Sequence, residues 1–179
     1  MRVIAGRFKG RRLKAPTWDG LRPTSDKLRE TLFNILASRM EGAVVLDACA
    51  GTGAVGIEAL SRGASHVMFI DQDRRATALV ASNLAACGVS DGYTIQTGEV
   101  ARVLATTPGL GFDMVFLDPP YASAGVELAV AASAAHLKPG GLLVLERATR
   151  STMPDLGLLV HVRDVKSGDS TLTFAESSR

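Results

Sequence analysis

The chain has 179 residues, of which 46% are hydrophobic and 21% charged, and its formal net charge is +2. This length fits one domain with a single core, and the apolar fraction is too high for a disordered chain. No apolar run is long enough to span a membrane and none follows the basic N-terminus, so we expect neither a transmembrane helix nor a secretory signal. The two cysteines, Cys49 and Cys87, lack metal-site spacing, which favours a reducing, cytoplasmic location and no bound metal.

The N-terminal segment is strongly basic. Residues 1–14 carry six basic side chains and no acidic one, while the rest of the chain is mildly acidic. Such an arm suggests a polyanionic partner, and a solvated, flexible N-terminus is the alternative. Two glycines favour turns here, so residues 3–5 and 12–14 are predicted to pair as a short hairpin. The hairpin would hold three basic side chains at its tip and rim: Arg7, Lys9 and Arg11.

The first predicted helix follows this basic segment. Four apolar residues recur at helical spacing and would form one buried face: Leu28, Leu32, Ile35 and Leu36. Either Thr24 or Ser25 can cap the start of the helix, and Asp26 suits its first turn.

From residue 43 onward, apolar runs alternate with helical stretches. This alternation is typical of a parallel sheet covered by helices on both faces. The predicted strands are residues 44–48, 67–70, 94–96, 114–117 and 142–145, and the predicted helices are 54–62, 74–87, 99–106 and 124–137. Residues 158–166 and 171–175 flank a turn and predict an antiparallel hairpin. We therefore expect one α/β domain over residues 1–179, with a basic appendage over residues 1–22.

The first predicted strand of the sheet runs into a glycine-rich turn. Gly51, Gly53 and Gly56 match the G-x-G-x-x-G pattern, which places a nucleotide-type ligand over the N-terminus of a helix. Asp71 follows at the end of the next strand, where its carboxylate can accept both hydroxyls of a ribose. Together, the turn and the acidic residue predict a nucleoside-binding site.

Asp47 indicates which kind of nucleoside binds. Its carboxylate lies close to the turn and would repel a pyrophosphate by an energy on the order of kcal/mol at a partly buried site. The same charge would attract the ammonium and sulfonium groups of S-adenosylmethionine. Asp47 therefore favours a methyl-donor site over a dinucleotide site, and capping of the turn is the alternative role for this carboxylate.

A second motif, Asp118-Pro119-Pro120-Tyr121, ends the fourth predicted strand. Its two prolines fix the backbone and leave no N–H to donate. The carbonyls of Asp118 and Pro119 and the Asp118 carboxylate then form a cluster of acceptors, which suits an exocyclic amine. Tyr121 offers a ring on which a base can stack. We expect these four residues to be catalytic.

The two motifs together resemble those of class I methyltransferases that use S-adenosylmethionine and act on amino groups of nucleic-acid bases. More narrowly, the chain resembles the RsmD-type enzymes over essentially its whole length. The similar segments are R-V-I-A-G…K-G-R-R-L at residues 2–13, R-P-T-S-D at 22–26, L-F-N-I-L at 32–36, E-A-L-S-R-G-A at 58–64 and G-D-S at 168–170. The resemblance implies a Rossmann-like, mostly parallel seven-stranded sheet whose last strand is antiparallel.

The resemblance also implies N2-methylation of one guanine in bacterial 16S rRNA, within a partly assembled small ribosomal subunit, by a cytoplasmic monomer. The residues expected to bind S-adenosylmethionine are Thr24, Asp47, Ala50, Gly51, Gly53, Asp71, Gln72 and Glu99. Glu99 stands where the family often carries a shorter acidic side chain that points toward the adenine. The residues expected to contact RNA are Arg7, Lys9, Arg11, Arg12 and Arg22.

Three other functions stay open at the level of sequence. An adenine-N6 methyltransferase acting on DNA or RNA would present the same acceptors to a different amine. An NAD-dependent oxidoreductase would use the glycine turn for its cofactor. An inactive RNA-binding or ribosome-assembly factor would retain the pocket without its chemistry.

Overall fold

The computed structural model describes residues 1–18, 25–107, 109, 111–119 and 125–178. Strands and helices alternate through most of this part of the chain. The strands are β1 (Val44–Ala48), β2 (His66–Asp71), β3 (Tyr93–Thr97), β4 (Phe112–Leu117), β5 (Leu137–Ala148), β6 (Leu159–Ser167) and β7 (Ser170–Ser177). The α-helices are α1 (Asp26–Ile35), α2 (Ala54–Ser61), α3 (Arg74–Ala86), α4 (Val100–Ala105) and α5 (Val126–Ala135), and a short 3₁₀ helix spans Ala37–Arg39.

The strands form one sheet in the order β3-β2-β1-β4-β5-β7-β6. Strands β1 to β5 pair in parallel, and β7 is antiparallel to both β5 and β6. The predicted seven-stranded sheet with an antiparallel last strand is therefore confirmed. The strand order reverses between β1 and β4, and ligands of open α/β sheets bind outside the carboxyl ends of the strands at such a point.

Helices cover both faces of the sheet, as predicted. One core cluster packs α1, α2, α3 and the N-terminal segment against the sheet through residues such as Phe33, Ile57 and Val80. The other cluster packs α4 and α5 against the opposite face through Leu104 and Val130. Within the described residues, none of the helices is long and apolar enough to cross a membrane.

The start of α1 follows the predicted capping pattern. The hydroxyl of Ser25 accepts a 3.1 Å hydrogen bond from the N–H of Leu28 and caps the helix. The capping residue of α1 is therefore Ser25. Thr24, the other candidate, lies outside the described residues.

The strand predicted over residues 142–145 is much longer in the structure, because β5 already begins at Leu137. Its first half contains Pro139, Gly140 and Gly141, which are typical of turns and hide the strand in the sequence. Gly140 has a φ of +69°, and the pairing of β4 with β5 shifts register in this region. The extra residues form an irregular start to the strand, and its carboxyl end at Ala148 lies three residues beyond the predicted end.

The third glycine of the turn, Gly56, sets how closely α2 approaches the sheet. A Cβ atom built at this position would lie 2.2 Å from the ring of Phe69 on β2. Only glycine therefore permits this spacing, and the start of α2 is held directly over the carboxyl end of β1.

Candidate functional site

The register of the sheet brings the two sequence motifs together at the carboxyl end of the strands. Asp47 on β1 pairs with Phe116 on β4, and Phe116 pairs with Val144 on β5. Asp47 and Asp118 both line one small cavity of about 40 Å³ at this edge. The glycine turn and the aspartate-proline corner are therefore parts of one site.

The carboxylate of Asp71 is fixed against the glycine turn. One of its oxygens accepts a 2.8 Å hydrogen bond from the N–H of Gly51, and the other accepts a 2.9 Å bond from the N–H of Asp73. An ionised carboxylate has about four lone-pair sites, so two such bonds leave capacity for the hydroxyls of a ribose. Gly51 and Gly53 both have positive φ angles, +55° and +74°, as the tight turn requires.

Asp47 is buried and 4% exposed, and its Oδ2 accepts a 2.8 Å hydrogen bond from the N–H of Gly56. The capping alternative considered for this residue is thus present in the structure. Burial raises the pKa of Asp47 to about 7, the negative charge of Asp71 adds to the rise, and the bond from Gly56 opposes it. A buried carboxylate in this state gains much from a cationic neighbour, so its capping role is compatible with a role in cofactor binding.

Cys49 lies among the acidic side chains of the site and lines the same cavity as Asp47 and Asp118. It connects β1 to the glycine turn with a φ of +62°, a backbone conformation that is uncommon for residues other than glycine. Burial raises the pKa of its thiol to about 12, and the charges of Asp71, Asp118 and Asp47 add to the rise. The thiol is therefore neutral and a poor nucleophile near pH 7. Three carboxylates that act on one atom also mark a negative potential, which fits a cationic cofactor.

Asp118 and Pro119 begin the segment that leaves β4. Asp118 is half-buried, and its N–H donates a 3.3 Å hydrogen bond to the carbonyl of Ala48. Pro119 is buried. Pro120 and Tyr121, the other two predicted catalytic residues, lie outside the described residues.

The remaining cofactor candidates surround the same edge. The N–H of Ala50 donates to the carbonyl of Ile70, and its carbonyl accepts from Gly53 at 2.7 Å. Gln72 is exposed directly after β2. The N–H of Gly98 donates a 2.9 Å bond to the carbonyl of Asp71, which brings the loop that holds Glu99 beside the end of β2. The Glu99 side chain is exposed and makes no capping bond to α4.

The N-terminal hairpin differs from the prediction in its pairing. Arg2 pairs with Arg12, the N–H of Leu13 donates to the carbonyl of Met1, and Val3 exchanges hydrogen bonds with Gly10 and Arg11. The N–H groups of Ile4 and Ala5 instead donate to the carboxylate of Glu58 at 2.7 and 2.9 Å. A short hairpin is present, but the predicted pairing of residues 3–5 with residues 12–14 is wrong. Val3 bonds to Gly10 and Arg11, and a buried carboxylate on α2 binds the N–H groups of Ile4 and Ala5.

The N-terminal segment is docked on α2 and is not a flexible arm. The N–H groups of Arg7 and Phe8 donate to the carbonyl and hydroxyl of Ser61 at 2.7 and 2.9 Å. The apolar residues of the segment are buried: Val3, Phe8 and Leu13. The candidate RNA-binding residues of the same segment are all exposed: Arg7, Lys9, Arg11 and Arg12. Arg22 lies outside the described residues.

A buried ion-pair network supports this docking, and sequence analysis assigned no role to Arg29 or Glu58. Glu58 and Arg29 are both completely buried. Arg29 donates to Asp26 at 2.6 Å and to the carbonyl of Arg2 at 2.9 Å, and Glu58 accepts from Arg62 at 2.8 Å. The network joins α1, α2 and the N-terminal segment. Glu58 belongs to a segment that resembles the family, and this was its only signal in the sequence.

Within the described ranges, no group of three or more His, Cys, Asp or Glu side chains is arranged to hold a metal ion.

Comparison with known proteins tests the resemblance. The model of a family described as Conserved hypothetical protein 95 matches residues 1–176. The chain belongs to this family. The YlbH protein of Bacillus subtilis is 38% identical over 168 residues, and the match covers 91% of each chain. Ribosomal RNA small subunit methyltransferase D of Escherichia coli is 39% identical over 121 residues, which are 68% of this chain and 60% of that protein.

The fold of the family extends over the full chain. The structure of the Escherichia coli protein yhhF is 28% identical to this chain, with a TM-score of 0.88, and the match covers 100% of this chain and 99% of that one. These matches confirm the predicted membership in the RsmD-type family and the Rossmann-like methyltransferase fold.

Proposed function

We propose that this protein transfers the methyl group of S-adenosylmethionine to the exocyclic N2 amine of a guanine in 16S rRNA. Membership in the RsmD-type family shows an rRNA methyltransferase that depends on S-adenosylmethionine, so the predicted enzyme class and cofactor are confirmed and the oxidoreductase alternative is wrong. The finer choice of the guanine N2 is our proposal. The observation that carries methyl transfer to an exocyclic amine is the shared cavity, because Asp47 and Asp118 line the same space.

The acidic side chains of the site fit a cationic methyl donor. Asp47, Asp71 and Asp118 all act electrostatically on Cys49, so their charges converge where the glycine turn leaves β1. We propose that Asp71 accepts the ribose hydroxyls, that Asp47 faces the ammonium end, and that Ala50, Gly51 and Gly53 shape the turn around the cofactor. Gln72, Glu99 and Thr24 remain proposed contacts of the nucleoside.

We propose that Asp118 and Pro119 prepare the amine for attack. The lone pair of an aromatic amine is delocalised into its ring, which makes the nitrogen a poor nucleophile. If the Asp118 carboxylate and the Pro119 carbonyl accept its two hydrogens, the nitrogen can become pyramidal and direct its lone pair at the methyl carbon. Correct positioning of reacting groups can supply roughly 7–11 kcal/mol of the barrier reduction.

The transfer is a direct displacement. S-adenosylmethionine supplies the methyl group, and its carbon–sulfur bond breaks with both electrons kept by sulfur. A nitrogen–carbon bond forms at the same time, and the nitrogen then loses one proton to Asp118 or to water. Pro120 and Tyr121 complete the proposed catalytic corner, with Tyr121 stacking on the base.

The docked N-terminal segment is the proposed contact for RNA. Its exposed basic side chains would bind phosphates and supply an affinity that falls with salt but reads little sequence. Because Val3, Phe8 and Leu13 anchor the segment, Arg7, Lys9, Arg11 and Arg12 are presented on a fixed surface. We also propose that Arg22 extends this surface, that a partly assembled small subunit is the substrate, and that the enzyme acts as a monomer.

The test is methyl transfer from tritiated S-adenosylmethionine to unmodified small ribosomal subunits and, in a second arm, to free 16S rRNA. Digestion and chromatography should place the label in N2-methylguanosine, with more product from the particles. Asp118→Ala should reduce turnover by orders of magnitude and leave cofactor affinity nearly unchanged. Asp91→Ala is the matched control, because Asp91 is exposed and lies before β3, at the other end of the sheet. Label in adenine, or full activity of Asp118→Ala, would refute the proposal.

A further inference from the structure

Glu146 on β5 is an acidic side chain of the site to which the sequence analysis gave no role. In the parallel pairing of β4 with β5, Phe116 lies opposite Val144 and Leu117 lies opposite Leu145. The next residues along the two strands are Asp118 and Glu146. Neighbouring strands are about 4.8 Å apart, and every second side chain points to the same face. Continuation of this register places the two carboxylates side by side on the face that holds Asp47.

The surroundings of Glu146 are those of a core residue. The residue is 9% exposed, and it pairs with Leu172 on β7. Both residues line the cavity of Asp47 and Asp118, together with Leu32 and Val144. Acidic side chains are rarely buried to this extent, so the place of Glu146 at the cavity distinguishes it from the other acidic residues of the strand pair.

We propose that Glu146 determines the choice of base by accepting the N1–H of the target guanine. This inference rests on the proposed function, in which Asp118 accepts hydrogens of the neighbouring N2 amine. Guanine carries donors at both N1 and N2, so two adjacent carboxylates match that edge of the base. Adenine carries a bare acceptor at N1, which would face the lone pairs of Glu146 without a hydrogen between them.

This arrangement separates two enzyme classes that Asp118 and Pro119 alone do not separate. Those acceptors suit any exocyclic amine, including the N6 amine of adenine. A site built to bind an N–H group strongly rejects an analogue that lacks it, because the buried acceptor is then left without a donor. Glu146 therefore supplies the contact that depends on the ring nitrogen next to the reacting amine.

The experiment compares guanine with 2-aminopurine, which keeps the N2 amine but has a bare acceptor at N1. The methylated nucleotide is first mapped in small subunits. Subunits are then reconstituted from a ligated 16S rRNA that carries either base at that position. The wild type should strongly favour guanine. Glu146→Gln should reduce the preference for guanine, measured as the kcat/KM for guanine divided by that for 2-aminopurine, by about 10- to 100-fold. The amide of the glutamine can donate to the bare N1 of 2-aminopurine, and it accepts only a neutral hydrogen bond from guanine.

Glu176→Gln is the matched control, because Glu176 is a carboxylate of the same sheet that pairs with Arg39 away from the cavity. It should keep the wild-type ratio, and the cofactor affinity of Glu146→Gln should stay near the wild-type value. An unchanged ratio in Glu146→Gln overturns the inference while the proposed function stands. A wild type that makes no N2-methylguanosine overturns both.

Glu146→Asp decides the case if Glu146→Gln is inactive on both bases or fails to fold. The aspartate keeps the negative acceptor, so it should react more slowly but retain the wild-type preference for guanine. Loss of that preference in Glu146→Asp, with the unfolding transition intact, would overturn the inference.

Discussion

The backbone N–H of Gly56 donates a 2.8 Å hydrogen bond to the carboxylate of Asp47, which precedes it by nine residues. The bond holds the first turn of α2 against the end of β1. This hydrogen bond lowers the pKa of Asp47 by less than burial raises it, so the pKa is raised to about 7. Asp47 is therefore mostly protonated at pH 6 and mostly ionised at pH 8, and two predictions follow from this difference.

Cofactor affinity should increase with pH. A cation near Asp47 binds best to the ionised form, and a group with a pKa near 7 changes from about one-tenth to about nine-tenths ionised between pH 6 and pH 8. The affinity for S-adenosylhomocysteine, whose ammonium stays charged over this range, should rise about tenfold when measured by calorimetry. Asp47→Asn should bind more weakly at pH 8 and lose the pH dependence. An equal pH dependence in both proteins would assign the effect to another group.

The contribution of Asp47 to the free energy of unfolding should decrease with pH, in contrast to cofactor affinity, which should increase. The pKa of Asp47 is higher in the folded state than the ordinary value of 3.8, so the folded chain retains a proton that the unfolded chain loses between about pH 4 and pH 7. The contribution of this residue is therefore largest at acidic pH and is lost as the pH rises through 7. The free energy of unfolding of Asp47→Asn relative to wild type should increase by about 2–3 kcal/mol from pH 5 to pH 8.

Urea unfolding at the two pH values measures this difference. Asp91→Asn is the control, because that aspartate is exposed and should show no comparable change. A relative stability of Asp47→Asn that stays constant across the range would mean that Asp47 is ionised in the folded protein at pH 5.

The features that could be predicted from the sequence are those set by local patterns of residues. The strand predicted over residues 44–48 has the same bounds in the structure, because an apolar run ends directly at the glycine turn. The two motifs could also be placed at one edge, since the carboxyl ends of parallel strands share that edge. Both predictions depend on residues that are close together along the chain.

Contacts between distant parts of the chain could not be predicted in this way. Ile4 binds Glu58 across 54 residues, and no local pattern indicates that a helix will take the N–H groups of a hairpin. Glu146 stands within an apolar strand and joins the cavity only through the register of β4 with β5. Cys49 resembles a small core residue in the sequence, and its left-handed backbone follows from the turn that it must enter.

Asp71 should contribute to cofactor binding more than to the chemical step. Its carboxylate is oriented by Gly51 and Asp73 and lies at the end of β2, next to the strand that leads into the turn. Asp71→Asn removes the charge while it keeps the shape. We expect about a 10- to 100-fold loss of affinity for S-adenosylhomocysteine, in line with the loss of charged hydrogen bonds, and a much smaller change in kcat at saturating cofactor.

Asp91→Asn again provides the comparison for Asp71→Asn, and a thermal unfolding curve checks that the turn is retained. If kcat at saturation fell as strongly as affinity, Asp71 would act on the reacting groups and not mainly on the ribose.

Two glycines of the N-terminal segment offer a matched test of its docking. Gly6 and Gly10 have similar backbone angles, with φ values of +79° and +83°, so alanine is strained at both by about 1–2 kcal/mol. A Cβ atom at Gly6 would lie 1.9 Å from the carbonyl oxygen of Ser61, whereas none of the described atoms lies within 4 Å of one at Gly10. Gly6→Ala should therefore lower the free energy of unfolding by about 1–3 kcal/mol more than Gly10→Ala, as expected for overpacking.

The same pair of variants tests whether docking presents the basic side chains to RNA. Displacement of the segment from Ser61 in Gly6→Ala should weaken binding to small subunits and reduce the slope of affinity against salt, because fewer phosphates are contacted together. Gly10→Ala should keep both quantities near the wild-type values, since its strain does not involve α2. Filter binding at several salt concentrations measures the slope for each variant. Equal slopes in both variants, with Gly6→Ala clearly destabilised, would show that the segment docks for stability and that RNA is bound elsewhere.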